Sequence, residues 1–165
     1  MKIFGVVGRS GSGKTTLIVK LLSFFRAHGF SVSTIKHAHH GFDLDRPGKD
    51  SFRHREAGAE EVMVVSDTRW ALMHESRDQG APPLEALIAR MTPGDLLLIE
   101  GFHTHRHPAL EVFRPGLGRD LIWRPGSDIV AIASDEALPH GEVPVLDLND
   151  VASIAAFILN HAAEL

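Results

Sequence analysis

The sequence predicts an α/β fold in which a mainly parallel β-sheet is flanked by helices in three layers. An apolar, β-branched run at residues 2–7 is followed by a loop of glycine and serine and then by apolar residues at helical spacing up to Phe25. A second β-rich run, FSVSTIK at 30–36, comes next, and such a strand–helix–strand unit sets its two strands parallel. With 165 residues, 44% of them apolar, the chain has the size and composition of one globular domain. We therefore expect a single domain over residues 1–165.

The first part of the chain is predicted to contain two helices, with a polar loop before the second. Gly29 is placed to end the first helix, because glycine readily takes the left-handed conformation that closes a helix. The stretch 37–49, polar and rich in His and Asp, is predicted to be an ordered but mobile loop. Asp50 or Ser51 is then expected to cap a short helix that ends near Gly58.

The later elements are recognised from apolar runs and from residues typical of helix starts. The run DLLLIEGF is the most clearly buried strand of the chain, whereas the segment from 103 to 127 holds many Gly, Pro, His and Arg residues around one strand. In order, we predict strands at 61–66 and 69–75, a helix at 83–91, strands at 95–102, 110–114, 128–135 and 143–148, and a closing helix at 149–162 capped by Asn149 or Asp150.

The composition excludes several classes of function. The chain contains no cysteine, so disulfides, thiolate metal sites and a cysteine nucleophile are ruled out. Its net charge of −4 does not favour binding to the negatively charged backbone of a nucleic acid. No apolar run approaches the ~18 residues that a membrane-spanning helix needs. We expect a cytoplasmic protein that binds neither nucleic acid nor a membrane.

The loop GRSGSGKT at 8–15 fits the pattern G-x-x-x-x-G-K-[ST] of a phosphate-binding loop, and it lies between a predicted strand and a predicted helix, as that pattern requires. Few side chains obstruct such a loop, so its backbone N–H groups can face anionic oxygens. Lys14 would reach the β- and γ-phosphates, and the helix N-terminus would add its partial positive charge. The predicted ligand is a nucleoside triphosphate, bound by Gly8, Ser10, Gly11, Ser12, Gly13, Lys14, Thr15 and Thr16.

A nucleotide site of this kind also needs a carboxylate at the end of a neighbouring strand to hold the water shell of the metal. Glu100 ends the buried run LLLIE and would emerge at the carboxyl edge of the sheet, where ligands bind in open α/β folds. Asp43 and Asp45 follow the second strand on the same edge and compete for this role, and Asp43 is preferred for a water-mediated contact. We predict a magnesium site at Thr15, Asp43 and Glu100.

The polar loop at 37–49 has the position and composition of a switch segment, which changes its order when a γ-phosphate and its metal leave. Lys36, Lys49 and Arg53 are the candidate anion contacts around it. The alternative is a solvated surface loop with spare charges.

Histidines are numerous, eleven in all, and two groups of three have spacings that permit a metal site. Neutral imidazoles without a carboxylate or thiolate in a set geometry bind transition metals only loosely, so polar or phosphate contacts are the preferred interpretation. The two groups are His37, His39 and His40, and His103, His105 and His107.

Asp135 directly follows the buried strand IVAIAS and is the predicted reader of the base. A carboxylate only accepts hydrogen bonds, so it pairs with the two adjacent donors on the edge of guanine, whereas adenine presents one donor and one acceptor. A turn or cap role for the same carboxylate is the alternative. GTP is therefore the expected nucleotide.

Together these segments resemble the molybdopterin-guanine dinucleotide biosynthesis adapter proteins, the MobB family, over nearly the whole chain. The likeness rests on GRSGSGKTTL, RWALMHE, LLLIEGF and VAIASD, and above all on IKHAHHGFDLDRPGKDSFRHREAGA at 35–59. It implies a homodimeric P-loop GTP-binding protein with weak GTPase activity that associates with the molybdenum cofactor guanylyltransferase. It also implies that residues 8–15 hold phosphates, that Asp43 and Glu100 serve Mg²⁺ and that Asp135 reads guanine.

Two other functions stay open. A small-molecule kinase would use the same loop to pass the γ-phosphate to a hydroxyl acceptor, and Arg114, Arg119 and Arg124 could supply its lid. A metallochaperone GTPase would use the histidine groups instead. No catalytic residue is assigned, because no glutamine or arginine is evidently aimed at the γ-phosphate.

Overall fold

A computed structural model describes residues 1–38, 42, 44–102, 106–139 and 141–165. The chain divides into two compact units, one joining residues 1–38 to 93–165 and the other covering 39–92, and the expectation of a single domain stays a prediction. In chain order the helices and strands are β1 Lys2–Val7, α1 Lys14–Ala27, β2 Val32–Lys36, α2 Asp50–Glu56, β3 Glu61–Val65, β4 Trp70–His74, α3 Leu84–Ile88, β5 Leu96–Glu100, β6 Ala109–Phe113, β7 Ile129–Ser134, β8 Val145–Asp147, α4 Val151–His161 and β9 Ala163–Glu164.

The first unit is built on a mainly parallel sheet, to which the described residues contribute seven strands. Six of them lie parallel in the order β2, β5, β1, β6, β7, β8, and β9 pairs antiparallel with the first residues of β1. β5 thus separates β1 from β2, and β6 separates β1 from β7. Parallel strands end at one edge of the sheet, so the residues that follow β1, β5, β6 and β7 are brought together there. The predicted fold class is confirmed.

Helices α1 and α4 pack together on one face of this sheet. Their buried residues recur at a spacing of three or four, as the apolar stripe of a core-facing helix does. Both helices share one core with the sheet, formed by Leu17, Leu21 and Phe25 of α1, Ile154 and Ile158 of α4, and Phe4, Leu98, Leu110 and Ala131 of the strands. No helix in the described part of the chain is long and apolar enough to cross a membrane.

A buried carboxylate fastens the loop that covers the opposite face of β1 and β6. Glu111 of β6 is 0% exposed, and its two carboxylate oxygens accept hydrogen bonds from the backbone N–H groups of Ile122 and Trp123, each at 2.7 Å. Those two side chains then pack against buried residues of the sheet, namely Val7, Ala109 and Ile129. Because a buried charge is tolerated only with such partners, Glu111 holds this loop against the sheet.

The second unit contains a β-hairpin, in which β3 and β4 pair antiparallel with Val65 opposite Trp70. Arg55 of α2 contacts residues from several segments of this unit. The Arg55 guanidinium donates to Glu75 at 2.8 Å and lies 3.6 Å from the Asp45 carboxylate, and it also lies over the ring of Phe52. Charged and aromatic contacts therefore organise this unit alongside the buried side chains of Val62 and Leu84.

Several sequence-based boundaries change in the structure. The prediction that Asp50 or Ser51 caps α2 is wrong: Lys49 takes the extended N-cap position, and its side chain makes no capping hydrogen bond. The hydroxyl of Ser51 instead donates to Asp45 at 3.0 Å. The helix predicted at 83–91 is shorter, Leu84–Ile88. At α4 the cap is Asp150, whose carboxylate accepts the N–H of Ser153 at 3.0 Å.

Candidate functional site

The glycine loop connects β1 to α1 in a conformation that requires glycine. Gly8, Gly11 and Gly13 all have positive φ angles, of 148°, 80° and 99°. Gly8 has no room for a side chain either, because a Cβ there would lie 2.5 Å from the carbonyl oxygen of Val112 on β6. The sequence pattern thus corresponds to a real backbone requirement.

Lys14, the first residue of α1, is folded back across this loop. Its ammonium donates to the carbonyl oxygens of Gly8 at 2.9 Å and Arg9 at 3.0 Å. Partial burial lowers the pKa of Lys14 below the usual value of 10.5, and the nearby Lys36 adds to this effect, whereas Glu100 opposes it. A desolvated ammonium held by neutral carbonyls is well suited to exchange them for an anion.

The other predicted phosphate contacts lie in the same loop or in the first turn of α1. Ser10 and Gly11 are exposed at its tip, and Thr16 is exposed in the first turn of α1. Ser12 is buried, and its hydroxyl has no hydrogen-bond partner within the residues that the structure describes. A buried hydroxyl without a partner is costly, so it favours a polar ligand at this loop.

Thr15, Glu100 and Lys36 meet beside the loop. The Thr15 hydroxyl donates to Glu100 at 3.1 Å, and the Lys36 ammonium lies 3.1 Å from the Glu100 carboxylate and 3.3 Å from the Thr15 hydroxyl. Glu100, only 9% exposed, ends β5 between the loop and β2, as the strand order requires. Lys36 ends β2, whose residues pair with those of β5.

This arrangement fits a magnesium ion. A hydroxyl and a carboxylate are hard oxygen ligands, which Mg²⁺ prefers, usually with several retained waters. A positive charge already lies beside these two groups, because the Lys36 ammonium contacts both Glu100 and Thr15. Thr15 and Glu100 could therefore hold this metal, as their sequence positions predicted.

Asp135 follows β7 and lies on the other side of the loop, where it is engaged by an arginine that the sequence patterns did not connect with it. The Arg114 guanidinium donates one hydrogen bond to Asp135 and another, at 3.0 Å, to the carbonyl oxygen of Ser12. The only sequence sign of this contact is a basic residue directly after β6. The predicted base reader and the phosphate loop are thus joined by one side chain.

Four other predicted residues belong to the segment from 39 to 92. Asp43 is outside the described residues. Asp45, Lys49 and Arg53 belong to the second unit, where the Asp45 carboxylate accepts the backbone N–H of Arg46 at 2.9 Å and the hydroxyl of Ser51. The contacts described for Asp45 thus lie within the second unit.

The histidine groups are only partly described, because His39, His40, His103 and His105 are outside the described residues. His37 stacks at a tilt on Phe102, with ring centroids 4.7 Å apart, and His107 is buried. Among the residues that are described, no group of three His, Asp or Glu side chains could hold a metal ion.

The three arginines proposed for a kinase lid do not share one task. Arg114 binds the loop and Asp135, Arg119 is exposed, and Arg124 donates to the carbonyl oxygens of its neighbours Leu121 and Trp123. This arrangement does not support the hypothesis of a small-molecule kinase.

Comparisons with known proteins give a consistent result. The chain is 41% identical over 155 residues to the molybdopterin-guanine dinucleotide biosynthesis adapter protein of Escherichia coli (strain K12), covering 91% of this chain and 87% of that protein. It is 38% identical over 160 residues to the protein of the same name from Haemophilus influenzae, covering 96% and 88%.

Solved structures agree as well. The crystal structure of a MobB homolog from Bacillus stearothermophilus matches with 26% identity and a TM-score of 0.68, covering 97% of both chains. That of Bacillus subtilis MobB matches in fold, with 24% identity and a TM-score of 0.76 over 100% of both chains. The family model MobB, molybdopterin guanine dinucleotide synthesis protein B, matches residues 3–135. With most of its length matched by this model, and with relatives of this identity, the chain belongs to the MobB family.

Proposed function

We propose that this chain binds GTP with Mg²⁺ and serves as a cytoplasmic adapter in the synthesis of molybdopterin guanine dinucleotide, where it assists the molybdenum cofactor guanylyltransferase. One observation carries the proposal: the Thr15 hydroxyl and the Glu100 carboxylate meet at the carboxyl edge of a parallel sheet, beside a glycine loop that ends in Lys14. The relatives in E. coli and H. influenzae, which are named biosynthesis adapter proteins, support the adapter role.

In this proposal each group has one task. The backbone N–H groups of residues 8–13 and the Lys14 ammonium hold phosphate oxygens, while the positive end of α1 adds to the attraction. Thr15 and Glu100 hold Mg²⁺ and its waters, with Asp43 as a proposed water-mediated contact. The bound metal supplies positive charge against the phosphates. Asp135 accepts the two donors of the guanine edge.

Slow hydrolysis is part of the proposal. Fast P-loop GTPases orient the attacking water with a glutamine and stabilise the leaving charge with an arginine. The chain has a single glutamine, Gln79, and no sequence pattern aims it at the γ-phosphate. The two arginines beside the loop are engaged, because Arg9 donates to the Asp120 carbonyl at 3.3 Å and Arg114 binds Ser12 and Asp135. We expect turnover on the order of 10⁻² s⁻¹ or slower without a partner.

Copurification with the guanylyltransferase tests the proposal. The tagged chain is mixed with that enzyme from the same organism in the presence of GTP·Mg²⁺, ATP·Mg²⁺ or no nucleotide, and the retained protein and nucleotide are identified. We expect retention of the enzyme together with GTP. A phosphorylated small molecule formed from labelled nucleotide and cell extract would instead identify a kinase and overturn the proposal.

Homodimerisation is also proposed, and the hairpin of the second unit supports it. Opposite residues of an antiparallel pair share one face, so Met63, Val65, Trp70 and Leu72 lie together. They are 60%, 72%, 62% and 38% exposed, so one face of the hairpin carries an unusual group of exposed apolar side chains. Within the described residues, β3 and β4 pair only with each other, so both outer edges are open as well. A second copy of this chain would cover such a surface.

Changing Trp70 to lysine is expected to convert the dimer to a monomer, because a charge would be buried between the two copies. Analytical ultracentrifugation over a range of protein concentrations measures the change. Val19→Lys is the matched control, since Val19 is similarly exposed, at 57%, but lies on α1. A wild-type chain that stays monomeric, or a Trp70→Lys variant that stays dimeric, would contradict this interface.

A further inference from the structure

Arg114 stands between the two halves of the proposed nucleotide site, and the strand order puts it there. It directly follows β6, which lies between β1, the strand before the phosphate loop, and β7, the strand before Asp135. The residue after β6 therefore faces one partner on each side. Its Nε donates to the Ser12 carbonyl at 3.0 Å, and its Nη1 donates to the Asp135 carboxylate.

The guanidinium is suited to this double contact. It is planar and presents several N–H donors in a fixed arrangement, so two bonds in different directions hold it in one orientation. A lysine ammonium in the same place is a point charge on a flexible stem. The Arg114 side chain is 37% exposed and that of Asp135 is 27% exposed, so water screens the pair only partly.

This contact leaves Asp135 able to bind a base. A carboxylate has about four lone-pair positions, and Arg114 uses one of them, on Oδ2. Positions on both oxygens stay available for the two adjacent donors of guanine. A carboxylate free to rotate could turn one oxygen away from the acceptor of an adenine ring and keep a single hydrogen bond. A carboxylate held in place cannot adapt in this way, so it discriminates better.

We propose that Arg114 is a positioning residue for base selectivity, which fixes the Asp135 carboxylate against the main chain of the phosphate loop so that it accepts guanine and rejects other purines. The inference rests on the proposed GTP binding. Arg114 also offsets the negative charge of Asp135 near the nucleotide phosphates. Its loss should therefore weaken all triphosphates somewhat, and selectivity is the readout that a general charge effect does not move.

The test compares three nucleotides by calorimetry with Mg²⁺. GTP is set against ITP, which lacks the 2-amino donor, and against ATP. We expect the wild type to favour GTP over ITP by about tenfold or more, as for a hydrogen bond to a charged group. In Arg114→Met this ratio should fall to within about threefold, and Arg114→Lys should recover little of it. Arg119→Met, which removes the same charge from an exposed position in the segment that follows β6, should keep the wild-type ratio.

Two further results decide between explanations. Asp135→Asn and the double variant Arg114→Met/Asp135→Asn should show the same low ratio, because Arg114 acts through Asp135. Tripolyphosphate binding and the circular dichroism spectrum verify that each variant is folded, and Arg114→Lys supplies the answer where Arg114→Met does not fold. Equal weakening of GTP, ITP and ATP in the Arg114 variants would overturn the inference alone. A wild type without preference for GTP would overturn the guanine assignment and the inference together.

Discussion

Replacing Lys14 by alanine is expected to weaken GTP binding by about 100-fold or more. The ammonium lies across the loop, 2.9 Å and 3.0 Å from two carbonyl oxygens, and phosphate oxygens would replace these as its partners. Hydrogen bonds to charged groups contribute about 1.5–3 kcal/mol each, and this side chain would make bonds to two phosphates. Calorimetry with GTP and Mg²⁺ measures the loss.

Lys20→Ala is the control for this change, because it removes an equal charge from an exposed position on the same helix. Its GTP affinity should stay close to that of the wild type. A Lys14→Ala variant that is folded and binds GTP as tightly as the wild type would remove the basis for nucleotide binding at this loop.

The lowered pKa of Lys14 adds a dependence on pH. The ammonium is charged below its pKa, and burial places that pKa below the usual lysine value of 10.5. GTP affinity should therefore begin to fall at a lower alkaline pH than an ordinary lysine would give. Arginine keeps its charge throughout this range, so in Lys14→Arg only the loss of the guanine N1 proton, which Asp135 would need as a donor, should lower GTP binding at alkaline pH.

Glu100→Gln is expected to remove most of the benefit that Mg²⁺ gives to GTP binding. The wild-type carboxylate accepts the Thr15 hydroxyl and is buried beside the loop, where a metal with its waters would need a negative charge. A neutral amide of the same shape cannot supply that charge. We expect the ratio of GTP affinities with and without Mg²⁺ to fall by about tenfold or more, a change of about 1.4 kcal/mol.

Titrations with Mg²⁺ and with EDTA give this ratio directly. Glu142→Gln, at an exposed position of the same unit, is the control and should leave it unchanged. If Glu100→Gln kept the full magnesium effect, the metal would have to be held by other residues, and Glu100 would have only its structural bonds to Thr15 and Lys36.

Local patterns predicted the parts of the site that local backbone chemistry decides. The positive φ angles of Gly8, Gly11 and Gly13 are visible in the loop motif, because only glycine takes them without strain. The position of Glu100 was predictable from a buried run that ends in a carboxylate, since strand ends meet at one edge of a parallel sheet. Both depend on residues close together in sequence.

Strand order decides the rest, and no local pattern contains it. Lys36 meets Glu100 because β5 lies beside β2, and Arg114 meets Asp135 because β6 lies beside β7. The same limit applies to Glu111, which looks like an exposed residue in a strand until its loop partners are known. The cap prediction at Asp50 failed for a different reason. The helix begins one residue earlier than a cap at Asp50 requires, and helix ends cannot be predicted from sequence to within one residue.

The contact of Lys36 with Thr15 and Glu100 changes what metal uptake would mean for this protein. The carboxylate already has a tethered counter-charge, so an entering dication would replace a monocation and the local gain would be one unit of charge instead of two. The Lys36 side chain is 58% exposed in its present position, and once displaced its ammonium would stay attached to the end of β2. It could then turn to the anion that arrives with the metal, so the pocket would take up a metal–triphosphate pair more readily than the bare ion.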